Sequence, residues 1–334
     1  MKEISVSRND ANQRLDKFLT KAFPNLKKSM MYKALRNKKI KVNRKRAEYS
    51  QILQEGDVIL LFLPEDALTT QSAPKKPGPE SAAHQTDAQV HKPDSSNQSP
   101  KIKVVFENND LLIVFKPKGL LSQKDSPKDQ NTMADQIIEY LTLSKSYDPK
   151  KELSFVPAAV SRLDRNTEGL CAAGKNAESL RLLNECMRTH SLHKFYLARV
   201  QGILDKDTYQ LRLYLKKEGT VARVFTHECP ASLNADLNIR VISRSEQDTL
   251  IEAELLTGRF HQIRATLAFL GHPLIGDHKY GYQGKCRHQQ LCAYRLDFSD
   301  TPFAGQIEQV TLRPADISWI RKEEYALIDE TVKS

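Results

Sequence analysis

The chain has 334 residues, 40% of them hydrophobic, which is enough for one large core and a smaller second one. Its longest aliphatic runs, such as VILLFL at 58–63, are too short to span a bilayer, so we do not expect a membrane protein. The formal net charge of +10 predicts an anionic partner. The polar start MKEISVSRND lacks the apolar stretch of a secretion signal, and we expect a cytoplasmic protein.

The cysteines predict neither a disulfide framework nor a metal site. There are five of them, an odd number, and no pair has the Cys-x-x-Cys spacing. The segments HECP at 227–230 and CRHQQLC at 286–292 combine Cys and His, but neither has the paired spacing of zinc ligands. We therefore expect a protein of a reducing compartment that holds no metal.

Residues 1–65 predict a small α/β domain. Two helices are indicated by apolar residues at helical spacing, first at Leu15, Phe18, Leu19 and Ala22 and then at Met31, Ala34 and Leu35. KIKVN at 39–43 alternates as a strand, and EGDVILLFLP at 55–64 is typical of a turn followed by a second strand. We call this predicted domain the head.

Positive charge is concentrated in the head. It holds fifteen Lys and Arg against seven Asp and Glu, a net of +8, and ten of the basic residues lie within 27–46, where there is no acid. Such crowded charges repel one another unless a polyanion neutralises them, so we predict nucleic-acid binding. The predicted contacts are Lys27, Lys28, Lys33, Arg36, Lys38, Lys39, Lys41, Arg44, Lys45 and Arg46.

Residues 66–100 predict a flexible linker. The segment has five of the fifteen prolines and no aromatic residue, so it cannot build a core. It divides the head from a body at 101–334. Strand patterns recur through the body, and its best helix is AESLRLLNECMRTH at 177–190. We predict a sheet-dominated α+β domain, and the absence of a glycine-rich phosphate loop predicts that it binds no nucleotide cofactor.

The tripeptide Arg-Leu-Asp occurs three times, and its context separates the copies. Asp16 lies in the first turn of a predicted helix and Asp297 at the end of a predicted strand, so both are expected to be solvated surface residues. Asp164 lies between the apolar segments FVPAAV and LCAAG, where it opens the polar loop RNTEG. Catalytic groups are frequent at such positions, although position alone also leaves a structural role open.

Two more segments combine polar side chains with apolar patterns. HKFYLARVQG at 193–202 alternates as a strand with Tyr196 near its start. In GRFHQIRATLAFLGHPLIGDHKYG at 258–281, Arg264 ends a polar cluster before a Leu-rich helix. Taken alone, each segment is also typical of an ordinary structural element.

Together these segments resemble the RluA-type pseudouridine synthases. The signature of that family is Arg-Leu-Asp, two variable residues, Thr, one variable residue and Gly-Leu, and RLDRNTEGL at 162–170 satisfies it. KPKGLL, KFYLARVQG and the segment 258–281 match further family blocks in the same order, over about residues 101–300. The head resembles the S-four-type RNA-binding domain of many family members, on RLDKFL, KKSMMYKALRNKKIKVN and EGDVI.

The resemblance implies an enzyme that detaches uracil from C1′ of a uridine in structured RNA and rejoins it through C5, without cofactor or metal. It assigns the catalytic carboxylate to Asp164, as nucleophile or as base at the sugar. It assigns the cationic partner to Arg264, which would keep that carboxylate ionised. Tyr196 would stack on the flipped base. Lys116 and His261 would contact phosphate or shape the pocket.

Departures from the family pattern leave the subfamily open. Ser161 and Cys292 stand where His is frequent, and Phe260 stands where Thr is frequent. We expect a monomer that acts on large-subunit ribosomal RNA, because the basic head favours a large structured RNA. The alternatives are the same reaction on transfer RNA and a catalytically inactive RNA-binding or ribosome-assembly protein.

Overall fold

The computed structural model describes residues 1–69 and 102–333, which fold into two compact units. The head unit is formed by residues 1–69 with Ile138–Val156, and the sheet unit by Ile102–Ile137 with residues 157–333. From residue 70 onward, the predicted linker lies outside the described residues. Its first positions belong to the head unit, because a 3-10 helix at Glu65–Leu68 buries two apolar side chains.

Two helices and a small antiparallel sheet form the head unit, as the sequence predicted. Its elements are β1 at Lys2–Ser5, α1 at Leu15–Ala22, α2 at Lys28–Arg36, β2 at Ile40–Val42, β3 at Lys45–Arg46 and β4 at Val58–Leu61. The strands pair in the order β1-β4-β2-β3. The apolar stripes of both helices are buried in one core, which leaves the basic side chains on the outside.

Asp10 fixes the segment 138–156 within the head unit. Its buried carboxylate accepts hydrogen bonds from the backbone N–H groups of Leu153 and Ser154 at 3.3 and 2.8 Å, and from the Ser154 hydroxyl at 2.6 Å. The Ser7 hydroxyl donates a further bond at 3.0 Å. Leu153 also packs against the core of the head. A buried carboxylate needs such donors, so Asp10 and this distant segment stabilise each other.

We expect Asp10→Ala to release residues 148–156 from the head. Hydrogen bonds to a charged group typically contribute about 1.5–3 kcal/mol each, and the substitution removes several. Amide hydrogen exchange should become faster in this segment while the amides of the sheet unit stay protected. Glu55→Ala, at an exposed position, is the matched control. Unchanged protection of residues 148–156 in Asp10→Ala would contradict this role.

One large sheet organises the sheet unit. Its strands are β5 at Lys103–Glu107, β6 at Leu111–Lys116, β7 at Ala158–Ala159, β8 at Glu168–Gly174, β9 at His193–Gln201, β10 at Thr208–Glu218, β11 at Val221–Phe225, β12 at Leu233–Arg244, β13 at Asp248–Leu255, β14 at Leu291–Asp297 and β15 at Gln309–Thr311. The α-helices that lie outside residues 1–69 are α3 at Met133–Leu143, which begins in the sheet unit and ends in the head unit, α4 at Ala177–Thr189, α5 at Gln262–Phe269 and α6 at Tyr325–Lys333. The strand order is β11-β10-β12-β13-β9-β14-β8-β6-β5, with β15 beside β14 and β7 beside β8. The sheet-dominated α+β class is confirmed, and α4 confirms the helix predicted over 177–190.

A close approach between β8 and β14 positions the loop that contains Asp164. The two strands pair in parallel at Gly169 and Ala293. Gly169 has φ +128°, and a Cβ atom there would lie 2.2 Å from the carbonyl oxygen of Ala293, so only glycine fits. On its other side, Ala293 is paired with Tyr196 of β9. The glycine of the signature segment therefore brings the loop before β8 near the strand that carries Tyr196.

Three other features of the described residues bear on the sequence expectations. In the part of the chain that the structure describes, no helix is both long and apolar enough to cross a membrane. Within residues 1–69 and 102–333, no three His, Cys, Asp or Glu side chains are grouped as metal ligands. All five cysteines are free thiols, and three of them, Cys171, Cys186 and Cys292, are buried.

Candidate active site

Asp164 lies in the loop that joins β7 to β8. The backbone N–H of Thr167 donates to the carbonyl of Asp164 at 3.0 Å and closes a turn. The neighbours Leu163 and Thr167 are buried, whereas the Asp164 side chain is 27% exposed. The backbone is thus held by the sheet while the carboxylate can meet a bound molecule, as the sequence context predicted.

Lys116 of β6 supports this loop from inside the sheet unit. Its fully buried ammonium donates to the backbone carbonyls of Pro117, Arg165 and Thr167 at 3.1, 3.1 and 2.8 Å. Burial lowers the pKa of Lys116 to about 8. The expected contact with RNA phosphate is wrong for this residue, because backbone carbonyls engage its three donors and no part of it is exposed. Its position agrees with the other expected role, shaping of the site.

Arg264 of α5 lies between two carboxylates. Its Nε and Nη2 donate to the Asp277 carboxylate at 2.6 and 2.8 Å, and its Nη1 donates to Oδ2 of Asp164 at 2.8 Å. Burial alone would lower the pKa of Arg264, but the hydrogen bonds and charges of Asp277 and Asp164 raise it above its usual value. The paired bonds to Asp277 hold the guanidinium plane in place and leave one donor directed at Asp164.

Tyr196 places a buried phenol near the same carboxylate. The residue is 7% exposed on β9. Burial raises the pKa of Tyr196, and the nearby Cys171 and Asp164 raise it further. The hydroxyl is therefore protonated throughout the physiological pH range, so Tyr196 contributes a neutral ring and a neutral hydrogen-bonding group.

His261 adopts a strained backbone conformation at the N-terminus of α5. Its φ of 53° is left-handed, which costs a non-glycine residue about 1–3 kcal/mol and occurs often at functional sites. Its Nε2 lies 3.7 Å from Oδ2 of Asp164, and its ring stacks on that of Phe260 with centroids 3.8 Å apart. Only 8% of the side chain is exposed, so the imidazole is better placed to shape the pocket than to bind phosphate.

Tyr280 contacts Nδ1 of His261 and favours one tautomer of the imidazole. The Tyr280 hydroxyl accepts a hydrogen bond from the backbone N–H of Ala222 at 2.7 Å and lies 2.9 Å from Nδ1 of His261. The hydroxyl proton is then directed at Nδ1, which leaves the N–H on Nε2, facing Asp164. Burial lowers the pKa of His261 to about 4, so the imidazole is neutral at pH 7.

The neutral state of buried His261 makes stability depend on pH. An imidazole in the unfolded chain has a pKa of about 6.5, whereas in the folded protein it is about 4. Between these values the unfolded state binds more protons, so the free energy of unfolding falls as pH falls from about 6.5 to about 4. We expect His261→Gln to flatten this dependence in urea unfolding from pH 7.5 to 4.

The control for this measurement is His227→Gln, since His227 is exposed in the same unit. It should keep the pH dependence of the wild type. If His261→Gln follows the wild-type curve between pH 6.5 and 4, the neutral state assigned to the buried imidazole is incorrect.

Two residues of this site, Asp277 and Tyr280, were not singled out from the sequence. Both lie in GDHKYG, at the end of the segment that contains Arg264. The signal that could have found Asp277 is electrostatic, because an arginine at the start of an apolar helix needs a buried counter-ion. Tyr280 has no comparable signal, since its role depends on a contact with β11.

The predicted RNA contacts of the head lie on its surface. Nine are exposed, namely Lys27, Lys28, Lys33, Arg36, Lys38, Lys39, Arg44, Lys45 and Arg46. Lys41 is half-buried, with its ammonium 5.7 Å from the centroid of the Phe62 ring. Tyr32 and Tyr49 are exposed and pack edge to face, with centroids 5.6 Å apart. Basic groups mixed with exposed aromatic rings are typical of surfaces that bind single-stranded or looped RNA.

The other two Arg-Leu-Asp copies have different surroundings. Asp16 is 8% exposed and accepts hydrogen bonds from Nε and Nη2 of Arg14 at 3.1 and 2.9 Å. The expectation that it is solvated is wrong, because the Arg14 guanidinium takes the place of water. Asp297 ends β14 and accepts bonds from the backbone and hydroxyl of Ser299, so its predicted place at the end of a strand is confirmed.

Two family models match the chain. RNA pseudouridylate synthase matches residues 110–269, and the S4 domain, written S-four-type above, matches residues 13–59. The first span contains the loop of Asp164 together with Tyr196 and Arg264, and the second lies within the head unit. The fold and these matches define an RNA-modifying isomerase, a pseudouridine synthase with an RNA-binding domain.

Curated relatives carry the name of this class, and a solved structure has the same fold. The chain is 27% identical over 319 residues to the ribosomal large subunit pseudouridine synthase C of Vibrio cholerae, which covers 95% of this chain and 88% of the relative. It is 28% identical over 286 residues to the protein of the same name from Haemophilus influenzae, covering 84% and 79%. The structure of human RNA Pseudouridylate Synthase Domain Containing 4 has the same fold, with TM-score 0.53 at 16% identity, covering 68% of this chain and 92% of that one. The chain thus carries an RNA pseudouridylate synthase domain and an S4 domain, and it is similar to the ribosomal large subunit pseudouridine synthases C of these two bacteria.

Proposed function

We propose that Asp164 is the catalytic carboxylate with which this pseudouridine synthase isomerises uridines of large-subunit ribosomal RNA. The observation that carries the assignment is the 2.8 Å ion pair between Arg264 and a carboxylate that is still 27% exposed. Asp277 is paired with the same guanidinium but is only 2% exposed, so it cannot meet a substrate. Asp164 is therefore the member of this cluster that RNA can reach.

The reaction requires an ionised carboxylate at the sugar. The bond between C1′ and N1 breaks, the uracil turns, and a bond forms between C1′ and C5, while C5 loses a proton and N1 gains one. Asp164 acts either as a nucleophile at C1′ or as a base at the sugar. In both cases Arg264 stabilises the negative charge of the carboxylate before and after the step.

Tyr196 and His261 complete the pocket. A uridine must leave its stack to reach Asp164, at a cost of about a few kcal/mol. The protonated Tyr196 offers the flipped base a ring to stack on and a neutral hydroxyl. The neutral imidazole of His261, whose Nε2 lies 3.7 Å from Oδ2 of Asp164, forms part of the pocket wall beside the carboxylate.

The choice of ribosomal RNA rests on two observations. The relatives described above from Vibrio cholerae and Haemophilus influenzae are named for the ribosomal large subunit. The head also presents nine exposed basic side chains, which suits a large structured RNA. The same isomerisation on transfer RNA is the second candidate.

Mapping of pseudouridines across total RNA tests the proposal. We expect cells that lack the protein to miss one or more pseudouridines in large-subunit ribosomal RNA. Wild-type protein should restore them, and the Asp164→Asn variant should not. Loss confined to transfer RNA would overturn the substrate assignment, and no loss in any RNA would favour an inactive RNA-binding protein.

A further inference from the structure

Phe260 is an aromatic ring at the rim of the site with no role in the proposed reaction. It is 39% exposed, although a phenylalanine would ordinarily be buried. One face of its ring stacks on His261, with an interplanar angle of 19°. Since His261 lies 3.7 Å from Asp164, one imidazole separates this exposed ring from the proposed catalytic carboxylate.

An exposed cation lies against the same ring. The ammonium of Lys217, an exposed residue near the end of β10, lies 4.7 Å from the centroid of the Phe260 ring. The imidazole fills one face, so the ammonium is left with the other. A cation–π contact at an exposed site contributes only about 0.5–1 kcal/mol, so an incoming planar group can displace it.

Two hydrogen bonds hold the β10–β11 hairpin, which carries Lys217, beside the active site. The hairpin of β10 and β11 is bonded to the catalytic cluster through the backbone N–H of Ala222, which donates to the Tyr280 hydroxyl. The Lys279 ammonium donates to the carbonyl of Thr220 in the hairpin turn at 3.2 Å. These bonds hold the backbone of the hairpin that carries Lys217 next to the catalytic cluster, while the ammonium of Lys217 is free to move from the Phe260 ring to a phosphate.

We propose that Phe260 and Lys217 form a subsite for the nucleotide next to the target uridine in single-stranded or looped RNA. The unpaired base stacks on Phe260, and the displaced ammonium of Lys217 binds the phosphate of that nucleotide. Stacking on an aromatic side chain stabilises a bound base without reading its identity, and a nearby cation suits the adjoining phosphate. The inference rests on the proposed function, because the same RNA strand must occupy both sites.

The subsite thus gives this enzyme an additional hold on the strand beside the flipped uridine. The free energy needed to unstack the RNA around the target uridine is then partly offset by the stacking of a second base on Phe260.

The experiment combines enzyme variants with abasic RNAs. The substrate is a stem–loop of about 25 nucleotides around the uridine that the mapping identifies, together with two derivatives that lack the base immediately 5′ or 3′ of the target. Wild-type kcat/KM in single turnover should fall by about 10- to 100-fold on one of the two derivatives. Phe260→Ala and Phe260→Thr should lose a similar factor on the intact RNA and nothing more on that derivative.

Controls separate stacking from structural damage. Phe260→Tyr should retain both the rate and the sensitivity to the missing base, because it keeps a ring against His261. Phe269→Ala, at a 48% exposed phenylalanine at the end of α5, should behave as the wild type. Lys217→Ala should reduce the slope of log RNA affinity against log salt concentration by about the contribution of one phosphate contact. Lys217→Arg should restore the wild-type slope.

Two outcomes would overturn the subsite. The wild type could react equally well with the intact and both abasic RNAs, a test that needs no variant and so does not depend on folding. Alternatively, the losses from Phe260→Ala and from the missing base could multiply, which would place the stacked base elsewhere. Either result leaves pseudouridine formation itself intact, whereas failure of the wild type to form pseudouridine in any RNA would reject the proposed function.

Discussion

Replacing Asp164 by Asn should abolish pseudouridine formation. The amide is nearly the same size as the carboxylate but carries no charge, so it can serve neither as nucleophile at C1′ nor as a base. We expect the single-turnover rate on the mapped stem–loop to fall by at least about 10³-fold, within the range of a lost acid–base or nucleophilic group. Binding of the RNA should remain within a few-fold of the wild type.

The other Arg-Leu-Asp copies supply matched controls. Asp297→Asn changes an acid at the end of β14 and should leave the rate unchanged. Asp16→Asn weakens the ion pair with Arg14 in the head and should reduce stability slightly, with most activity retained. Comparable turnover by Asp164→Asn and wild type would refute the assignment of the catalytic carboxylate.

The Arg264→Lys variant should retain RNA binding but lose about 100-fold in rate. The guanidinium donates to Asp277 through two nitrogens and to Asp164 through a third, whereas one ammonium cannot reproduce that planar geometry. Loss of a preorganised donor at the reacting group costs about 10²–10³-fold in rate. Single-turnover kinetics and filter binding on the same stem–loop measure the two effects separately.

Two further variants distinguish a catalytic from a merely structural effect. Arg199→Lys changes another buried arginine of the sheet unit, paired with Asp248 and Glu324, and should lower the melting temperature without a specific loss of rate. Asp277→Asn weakens the two hydrogen bonds that orient the Arg264 guanidinium and should lower kcat more than it changes RNA affinity. Normal turnover by both Arg264→Lys and Arg264→Ala would show that this arginine is not the partner of Asp164.

The buried state of Asp10 changes how the head should be studied. The basic side chains of the head are on its surface, but residues 138–156 fold with it. A body truncated at residue 101 would keep this segment and lose its hydrogen-bonding partner. Substitutions of exposed lysines in α2 are therefore a cleaner test of RNA binding than removal of the head.

The local elements of the fold could be predicted from the sequence alone. Apolar residues at helical spacing predicted α1, α2 and α4. Apolar residues that recur about every 3.6 positions lie on one side of an α-helix, and that side is then buried in the core. The contrast between FVPAAV, RNTEG and LCAAG located Asp164 at the start of a loop between strands. The charge of the head was also visible, since it depends on composition within one short segment. Family resemblance then added roles for Asp164, Tyr196 and Arg264.

Which side chains contact one another could not be predicted from the sequence, because it depends on the packing of distant segments. Asp164 and Arg264 are 100 residues apart in the chain. Their contact depends on the parallel pairing of β8 with β14 and on the two hydrogen bonds from Arg264 to Asp277. The same applies to Lys116, for which the resemblance implied either a phosphate contact or a role in shaping the pocket, and whose ammonium is directed at buried carbonyls. A sequence pattern records how a residue differs from its neighbours in the chain. The free energy of a buried charge depends instead on donors and acceptors that arrive from distant segments, and these are set by packing.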